Sequence, residues 1–591
     1  MSLHRSTRFF STLLVSGLVS AAMGTLTGDA EAQVLRFSKT AAGAIASTGN
    51  TLGLSKATNS NGPGLANSIG TFISLDPLSV DDTPAPAAGG KPWGASTTSD
   101  WTVNGSTGVL DIPDGAEILY AELVWAGSFN YGGQNLTDKL DLPISLSANS
   151  DAIAVDPDSV TSVTVSEKST MGFDVNYYMR SGEVTQFVQK HRGATYAVSG
   201  VPATEASSVN SLNAAGWQLV VAYRYSKLPV LRNLSIFVGG SFVDEESQQD
   251  YTLNGFCAPS SGPVEGRVTI SALEGDADLT GDELLIGATA NGSFVSLSGP
   301  NNPGTNFFCS QVNGSDGLID VKGSFGDVNH DAMGGKNVAG GRQGWDTTTL
   351  PLSDKDGHLA NDQTSAVIRT ITTGDSYMPT MVALELDVKS PDFTSSDTVA
   401  DKPEVKIGQQ VKVTAKLSNI GEAYAAAVNF RLGKIKGLEL VDFQANGMPT
   451  DQFGNVVTYD QLTMGAQVGQ LLVMATHTVE LTFEVVGPPA DGKAYVIAPE
   501  WDHSFVPCAG AKPIHDTHKP EGTTVAYLEE QIDPTSGAGG SGGGQPVPPP
   551  LPPIQEESSC GCSVPGATAP SGGLAALAAV AAFFARRRRS H

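Results

Sequence analysis

The chain is poor in the side chains and motifs that most enzymes use. Charged residues make up 16% of its 591 residues, and it has 5 cysteines and 9 histidines. We find no His-Glu-x-x-His and no P-loop, and the strings Gly-x-Ser-x-Gly and Gly-x-Gly-x-x-Gly occur only within the Gly/Ser-rich stretch at 537–544, which argues against the enzyme classes that carry these motifs. A site of scattered Ser, His and Asp residues, or of two glycosidase carboxylates, stays open, because the sequence does not show which side chains converge.

Long helical periodicity is almost absent, and basic residues are scarce. The chain has 35 Lys and Arg against 61 Asp and Glu, a formal net charge of -26. This balance disfavours nucleic acid as a partner, because phosphates would be repelled. The acidic excess fits either solubility or the binding of divalent cations. Abundant Gly, Ser, Thr and Asn are typical of a secreted β-rich protein, and the length predicts two to four domains.

The first residues have the pattern of an export signal. Arg5 and Arg8 precede an uncharged, mostly apolar stretch over residues 9–26, and Ala30-Glu31-Ala32 offers a cleavage site of small residues. This order of parts predicts a secretory signal peptide over residues 1–32 that is removed from the mature chain.

The last residues form a second targeting pattern. Cys560-Gly561-Cys562 is followed by an uncharged, Ala-rich and Leu-rich stretch and then by the arginines at 586–589. The apolar part is short for a stable membrane span, and the arginines would resist translocation. Residues 558–591 resemble the C-terminal sorting signals of myxobacterial surface proteins. The resemblance implies cleavage by a membrane protease and lipid attachment at Cys560 or Cys562. The alternative is an ordinary C-terminal membrane anchor.

Short apolar runs between Gly, Asn and Pro turns predict an all-β fold of tandem β-sandwiches. Residues 33–99 read as an irregular, loop-rich segment. Residues 506–557 read as a tail with a Gly/Ser/Pro-rich linker, a flexible and then stiffer stalk before a single apolar sorting helix. The helical spacing at residues 183–190 predicts one short helix.

Two regions resemble known surface proteins. The stretches AELVWAGS at 121–128, GWQLVVAY at 216–223 and RNLSIF at 232–237 resemble the β-rich region of large bacterial surface proteins. This resemblance covers residues 100–390 and implies one or two β-sandwiches without an assigned chemistry. Alternation over residues 411–417 and 479–485 resembles an immunoglobulin-like surface repeat of unknown function, which we place at residues 391–505.

Export makes a disulfide between Cys257 and Cys309 the first expectation, with Cys508 left free, paired elsewhere or bound to metal. His503, His515 and His518 lie near Cys508 and are read either as loop histidines or as zinc ligands. Aromatic residues such as Tyr177 and Trp217 belong either to the core or to a sugar-binding platform.

Acidic loops suggest Ca²⁺, which binds clustered carboxylate and carbonyl oxygens. The candidate ligands are grouped in two loops, and the alternative is solvated Asp-Gly turns. They are Asp276, Asp278 and Asp282 in the first loop, and Asp327, Asn329 and Asp331 in the second.

Together these patterns predict an exported, non-enzymatic structural or adhesive protein, held at the cell surface or outer membrane or released after processing. The C-terminal signal makes the membrane one partner, and an extracellular protein or glycan is the expected ligand. The alternatives are a secreted carbohydrate-active or metal-dependent hydrolase, and a passive envelope or coat spacer.

Overall fold

The computed structural model describes residues 33–55, 67–80, 84–85, 91–92, 94–205, 212–225, 227–228, 230–245, 247–507 and 512–529. These residues form mostly antiparallel β-sheets, which confirms the predicted all-β class with β-sandwiches in tandem. The helical elements of the described residues are short: α-helices Thr185–His191 and Tyr459–Met464, and 3-10 turns Trp101–Val103 and Thr137–Lys139. The first of these is the helix predicted near residues 183–190.

Two five-stranded sheets form the centre of the larger part of the molecule. The first inner sheet contains, in spatial order, Val163–Lys168, Asp174–Glu183, Glu117–Ser128, Ala215–Arg224 and Gly43–Thr51. The second inner sheet contains, in spatial order, Gln33–Ala41, Arg232–Gly239, Met378–Asp387, Glu265–Leu273 and Trp345–Ser353.

Each inner sheet has a four-stranded outer sheet on one side. The first outer sheet contains Asp151–Val155, Ile144–Ala148, Ala194–Ser199 and Gly105–Leu110. The second outer sheet contains Gln248–Asn254, Ser365–Thr372, Asp282–Gly287 and Phe294–Ser296. A short sheet at one end contains Arg342–Gln343, Gly53–Ser55, Ile69–Ile73 and Thr97–Thr98, and two ribbons pair Asn130–Tyr131 with Gln134–Asn135 and Pro84–Ala85 with Lys91–Pro92.

The two inner sheets pack against each other, so each is buried on both faces. One apolar core lies between the inner sheets, and another lies between each inner sheet and its outer sheet. Met378–Asp387 is accordingly buried at every position. Burial on both faces explains why strands such as Glu117–Ser128 are nearly continuous apolar runs rather than alternating ones. Each fully buried large apolar side chain stabilises this stack by about 1.5–3 kcal/mol.

The prediction that residues 33–99 are irregular is wrong for their first part. Gln33–Ala41 pairs with Arg232–Gly239, and Gly43–Thr51 pairs with Ala215–Arg224, so this segment adds one strand to each inner sheet. The glycines of this segment do not mark turns; they let its backbone lie close to the backbone of the neighbouring strand. A Cβ at Gly43 would lie 2.2 Å from the Tyr223 carbonyl oxygen.

Residues 397–527 form a separate β-sandwich around one core. Gln410–Ser418 and Thr476–Val485 alternate buried and exposed residues, as predicted. The first sheet of this sandwich contains Asp397–Ala400, Gln410–Ser418, Thr476–Val485 and Leu438–Ala445. The second sheet contains Ala466–Leu471, Ala425–Arg431, Glu500–Phe505 and Ile514–His518. The third, smaller sheet contains Glu404–Val405, Thr523–Tyr527 and Ala494–Ile497.

The predicted end of this domain at residue 505 is too early. Ile514–His518 pairs with Glu500–Phe505, and Thr523–Tyr527 pairs with Ala494–Ile497. Val525 is fully buried in the core of the sandwich. The segment interpreted as the start of the tail therefore completes the domain.

The two predicted targeting segments lie outside the described residues. They include residues 1–32 and 558–591, with Cys560 and Cys562. Among the residues that are described, no helix combines the length and apolar character needed to cross a bilayer.

Candidate metal centre

Three carboxylates converge at one end of the second inner sheet. The ligand oxygens of Glu274, Asp276 and Asp375 lie within 4.8 Å of one another, and all three side chains are buried. In the described part of the chain, this is the one group of three or more His, Cys, Asp or Glu residues that meets this distance.

Strand pairing brings these carboxylates together from distant parts of the sequence. Glu274 and Asp276 directly follow the strand Glu265–Leu273, and Asp375 precedes the strand Met378–Asp387. Leu273 pairs with Met378, so the chain leaving one strand meets the chain entering the next.

A left-handed turn orients the carboxylates inward. Glu274 has φ 69° and Gly275 has φ 110°, and a Cβ at Gly275 would lie 2.7 Å from an Asp346 carboxylate oxygen. Glycine is therefore required at this position. The Asp276 N–H donates to Asp375 Oδ2 at 3.1 Å, and the Gly275 N–H donates to Glu274 Oε2 at 2.7 Å.

The three groups stand in an unfavourable electrostatic environment. Burial raises the pKa of Glu274, Asp276 and Asp375 well above the usual range, and repulsion from neighbouring carboxylates raises each pKa further. No lysine or arginine among the described residues forms a salt bridge with any of them. These carboxyl groups must therefore bind protons or share a cation.

Two further buried carboxylates lie close by but hold the backbone instead. Asp346 accepts hydrogen bonds from the N–H groups of residues 309–311, at 2.8 to 3.0 Å. Asp282 Oδ2 accepts from the Phe308 N–H at 2.5 Å, and burial raises the pKa of Asp282 to about 7. Both side chains fix the loop at residues 307–311.

Only one of the three calcium ligands predicted in the first acidic loop belongs to the carboxylate group. Asp276 belongs to the carboxylate group, whereas Asp278 and Asp282 do not. Asp278 is exposed, and its Oδ1 accepts from Asn337 Nδ2 at 2.7 Å. Sequence reasoning missed Glu274 and Asp375. Glu274 lies two residues from Asp276, but no sequence signal links Asp375 to either.

The second predicted loop does not gather its oxygens in one place. Asp327 is exposed, and Asp331 Oδ1 accepts from the Gly334 N–H at 2.9 Å as part of a turn. Asn329 Oδ1 accepts from the Arg342 Nε at 2.6 Å. An oxygen that faces a guanidinium is a poor cation ligand, because the two positive charges repel each other.

The predicted pairing of Cys257 with Cys309 is wrong. Cys257 is disulfide-bonded, whereas Cys309 is a free, buried thiol. The two residues serve different parts of the fold. The Cys257 carbonyl accepts from the Lys389 N–H at 2.7 Å, near the start of the C-terminal sandwich, and Cys309 lies in the loop that Asp346 fixes. Cys508 lies outside the described residues.

We expect Cys309 to resist alkylation in the folded protein. The side chain is fully buried, and burial, together with the charges of Asp346, Asp282 and Asp375, raises the pKa of the thiol well above 9. Iodoacetamide at pH 8 should label residue 309 only after unfolding, because the thiolate is the reactive form. Peptide mapping of native and denatured samples measures this, and rapid native labelling of Cys309 would contradict it.

Two of the predicted zinc candidates lie where the C-terminal sandwich contacts the larger part of the chain. His503 and His518 pack against Phe393, with ring centroids 4.8 and 5.4 Å away. They line a cavity of about 110 Å³ that is shared with Arg224 and Asp516. His515 is exposed. The described residues therefore place these histidines as packing groups rather than as a zinc site.

Acid should weaken this contact. Burial lowers the pKa of His518 from 6.5 to about 4 and lowers that of His503 as well. An unfolded chain binds protons at these residues below about pH 6.5, so stability is lost as the pH falls from 6.5 towards 4. Denaturant unfolding at pH 7 and pH 5 measures the loss. His518→Phe should reduce the pH dependence, whereas the exposed control His515→Gln should not; equal pH dependence in all three chains would contradict this.

Comparisons with known proteins do not place the chain in a family. No family model matches the chain, and no curated protein matches it. A structure of a candidate membrane-anchored protein from Corynebacterium diphtheriae is 8% identical, with a TM-score of 0.16, covering 84% of this chain and 98% of its own. Structures of Sulfolobus turreted icosahedral virus and of a triple jelly roll protein of an archaeal virus are each 10% identical, with TM-scores of 0.14 and 0.13. They cover 69% and 70% of this chain, and 89% and 90% of their own. TM-scores this low carry no argument about fold or function.

Proposed function

We propose that this chain is an exported, surface-tethered structural or adhesive protein that carries no catalytic activity of its own. The observation that carries the proposal is the pair of inner sheets, each buried on both faces. A stack packed in this way is a stiff body suited to display, with its loops and edges outermost. The aromatic residues considered for a sugar platform, Tyr177 and Trp217, are buried and serve this packing.

The ends of the sequence support tethering. The signal peptide pattern at residues 1–32 directs export, and the pattern at residues 558–591 directs retention at the membrane. The Gly/Ser/Pro-rich linker that ends at residue 557 serves as a stalk between the folded domains and the tether. An extracellular protein or glycan is the ligand class that suits a displayed β-sandwich.

Intact mass spectrometry of the protein from its native membrane fraction tests the tether. We expect a chain that starts near Gln33 and ends near Cys560 or Cys562, with the added mass of a lipid. A mature chain that retains the arginines at 586–589 would overturn the sorting mechanism and favour an ordinary C-terminal anchor.

A cell-contact assay tests the role itself. Cells that lack the protein should aggregate less than wild-type cells, and the full-length chain should restore aggregation. A Cys560→Ser, Cys562→Ser double variant should be released into the medium and should fail to restore contact. Normal aggregation without the protein would contradict an adhesive role.

A further inference from the structure

We propose that Glu274, Asp276 and Asp375 bind one Ca²⁺, which joins the turn after the strand Glu265–Leu273 to the loop before the strand Met378–Asp387. This inference goes beyond the proposed function and does not depend on it. A bound cation would fix the same end of the stack whatever the surface of the protein contacts.

The spacing of the three carboxylates suits a single ion. Ca²⁺ binds oxygen at about 2.4 Å, so two oxygens on the same ion lie no further apart than about 4.8 Å. The ligand oxygens of the three residues meet this limit. The group contains oxygen ligands alone, which favours a hard cation over zinc or copper, because those metals prefer nitrogen and sulfur ligands.

Unpartnered polar atoms provide a second, independent observation. Asn67 and Gln343 form hydrogen bonds with the Asp276 side chain, but its Oδ1 is buried and has no hydrogen-bond partner. The Tyr177 hydroxyl, which comes from the first inner sheet, is also buried and unpartnered. Tyr177 packs in the same apolar core as Leu273 and Met378, which lie close to the three carboxylates in the sequence. Buried polar atoms are rarely left unpaired, so two such oxygens at this end of the stack, one of them within the carboxylate group, point to a missing ligand.

The charge of the site favours a divalent cation. Three ionised carboxylates with no basic partner would repel each other strongly in a buried environment. A Ca²⁺ ion neutralises most of that charge and accepts further neutral oxygens in flexible geometry. Mg²⁺ suits the site less well, because it keeps several waters and demands octahedral geometry that a buried, preformed group restricts.

Burial also predicts how the ion exchanges. Glu274, Asp276 and Asp375 are at most 5% exposed, so the ion should enter while the sheets assemble and leave only when this end opens. Removal by a chelator should therefore be slow at room temperature and fast near the unfolding transition.

Metal analysis of the full-length purified chain tests the proposal. After gel filtration in metal-free buffer, elemental analysis should find one Ca²⁺ per chain. Unfolding in EDTA and refolding without metal should lower Tm, and added CaCl₂ should restore it. The conservative variants Asp375→Asn and Glu274→Gln should bind Ca²⁺ at least tenfold more weakly, and Asp331→Asn, in the exposed turn, should bind as the wild type does.

The alternative is a protonated carboxyl cluster. In that case the wild-type chain contains no Ca²⁺, its Tm does not respond to CaCl₂, and Asp375→Asn is as stable as the wild type or more so at pH 7. Any of these results overturns the proposal, as does equal affinity for Mg²⁺. If the variants fail to fold, the calcium content and the CaCl₂ response of the wild-type chain decide the question on their own.

Discussion

Replacing Glu385 with alanine is expected to destabilise the protein by about 3–5 kcal/mol, the cost of breaking a buried ion pair by removing one partner. Glu385 is fully buried in the second inner sheet, and its Oε1 accepts from the Ile45 N–H of the first inner sheet at 2.9 Å. Arg232 and Arg267 each approach its carboxylate to 3.6 Å. Alanine would leave two guanidinium groups and one N–H without this partner.

The variant Glu385→Gln separates the lost charge from the lost hydrogen bond. Burial raises the pKa of Glu385 more than Arg267 and Arg232 lower it, so a neutral group of the same size should be tolerated better. We expect a smaller loss than for alanine, measured by denaturant unfolding at pH 7. Glu439→Ala, at an exposed strand position, is the control and should change the unfolding free energy by less than about 0.5 kcal/mol. A similarly small effect for Glu385→Ala would contradict the assigned contact.

Replacing Trp217 with alanine is expected to lower the free energy of unfolding by about 3–5 kcal/mol, because the substitution leaves a cavity in the core. Trp217 is fully buried between the first inner and first outer sheets, directly opposite Trp125 on the neighbouring strand. Its Nε1 donates to Ser106 Oγ at 2.8 Å, which ties the two sheets together. Alanine would remove both the packing and this hydrogen bond.

Phe453→Ala is a suitable control, because Phe453 is 69% exposed on the C-terminal sandwich. Its effect should stay below about 0.5 kcal/mol. Thermal and denaturant unfolding of both variants measure the difference. If Trp217→Ala were as mild as the control, Trp217 would have to be a surface residue, as a sugar-binding platform requires.

The parts of the fold that could be predicted are those governed by local pattern. Alternation over residues 411–417 predicted the strand Gln410–Ser418. The stretches at 121–128 and 216–223, which resemble a β-rich surface region, lie in the strands Glu117–Ser128 and Ala215–Arg224. The helix Thr185–His191 followed from the helical spacing of Val184, Phe187 and Val188. In each case, the period of the buried residues depends on the element itself, so a short stretch of sequence carries the signal.

The parts that could not be predicted depend on distant residues. The glycines of Gly43–Thr51 made this segment resemble a loop. Their role is to allow close contact with a strand that lies about 170 residues later, which the local sequence does not show. The site residue Asp375 is about 100 residues from Asp276, and only the pairing of two strand ends brings them together. The predicted disulfide between Cys257 and Cys309 was wrong for the same reason. Their positions in the sequence say little about which thiols lie close enough to pair.

The position of the first two strands has a consequence for the order of folding. Gln33–Ala41 and Gly43–Thr51 are made first, yet their partners Arg232–Gly239 and Ala215–Arg224 emerge from the ribosome far later. Pairing over such separations closes large loops and slows folding. The N-terminal segment must therefore wait unpaired, with exposed strand edges that favour aggregation. If the chain is exported unfolded, as we propose, these strands would pair only after the middle of the chain has crossed the membrane.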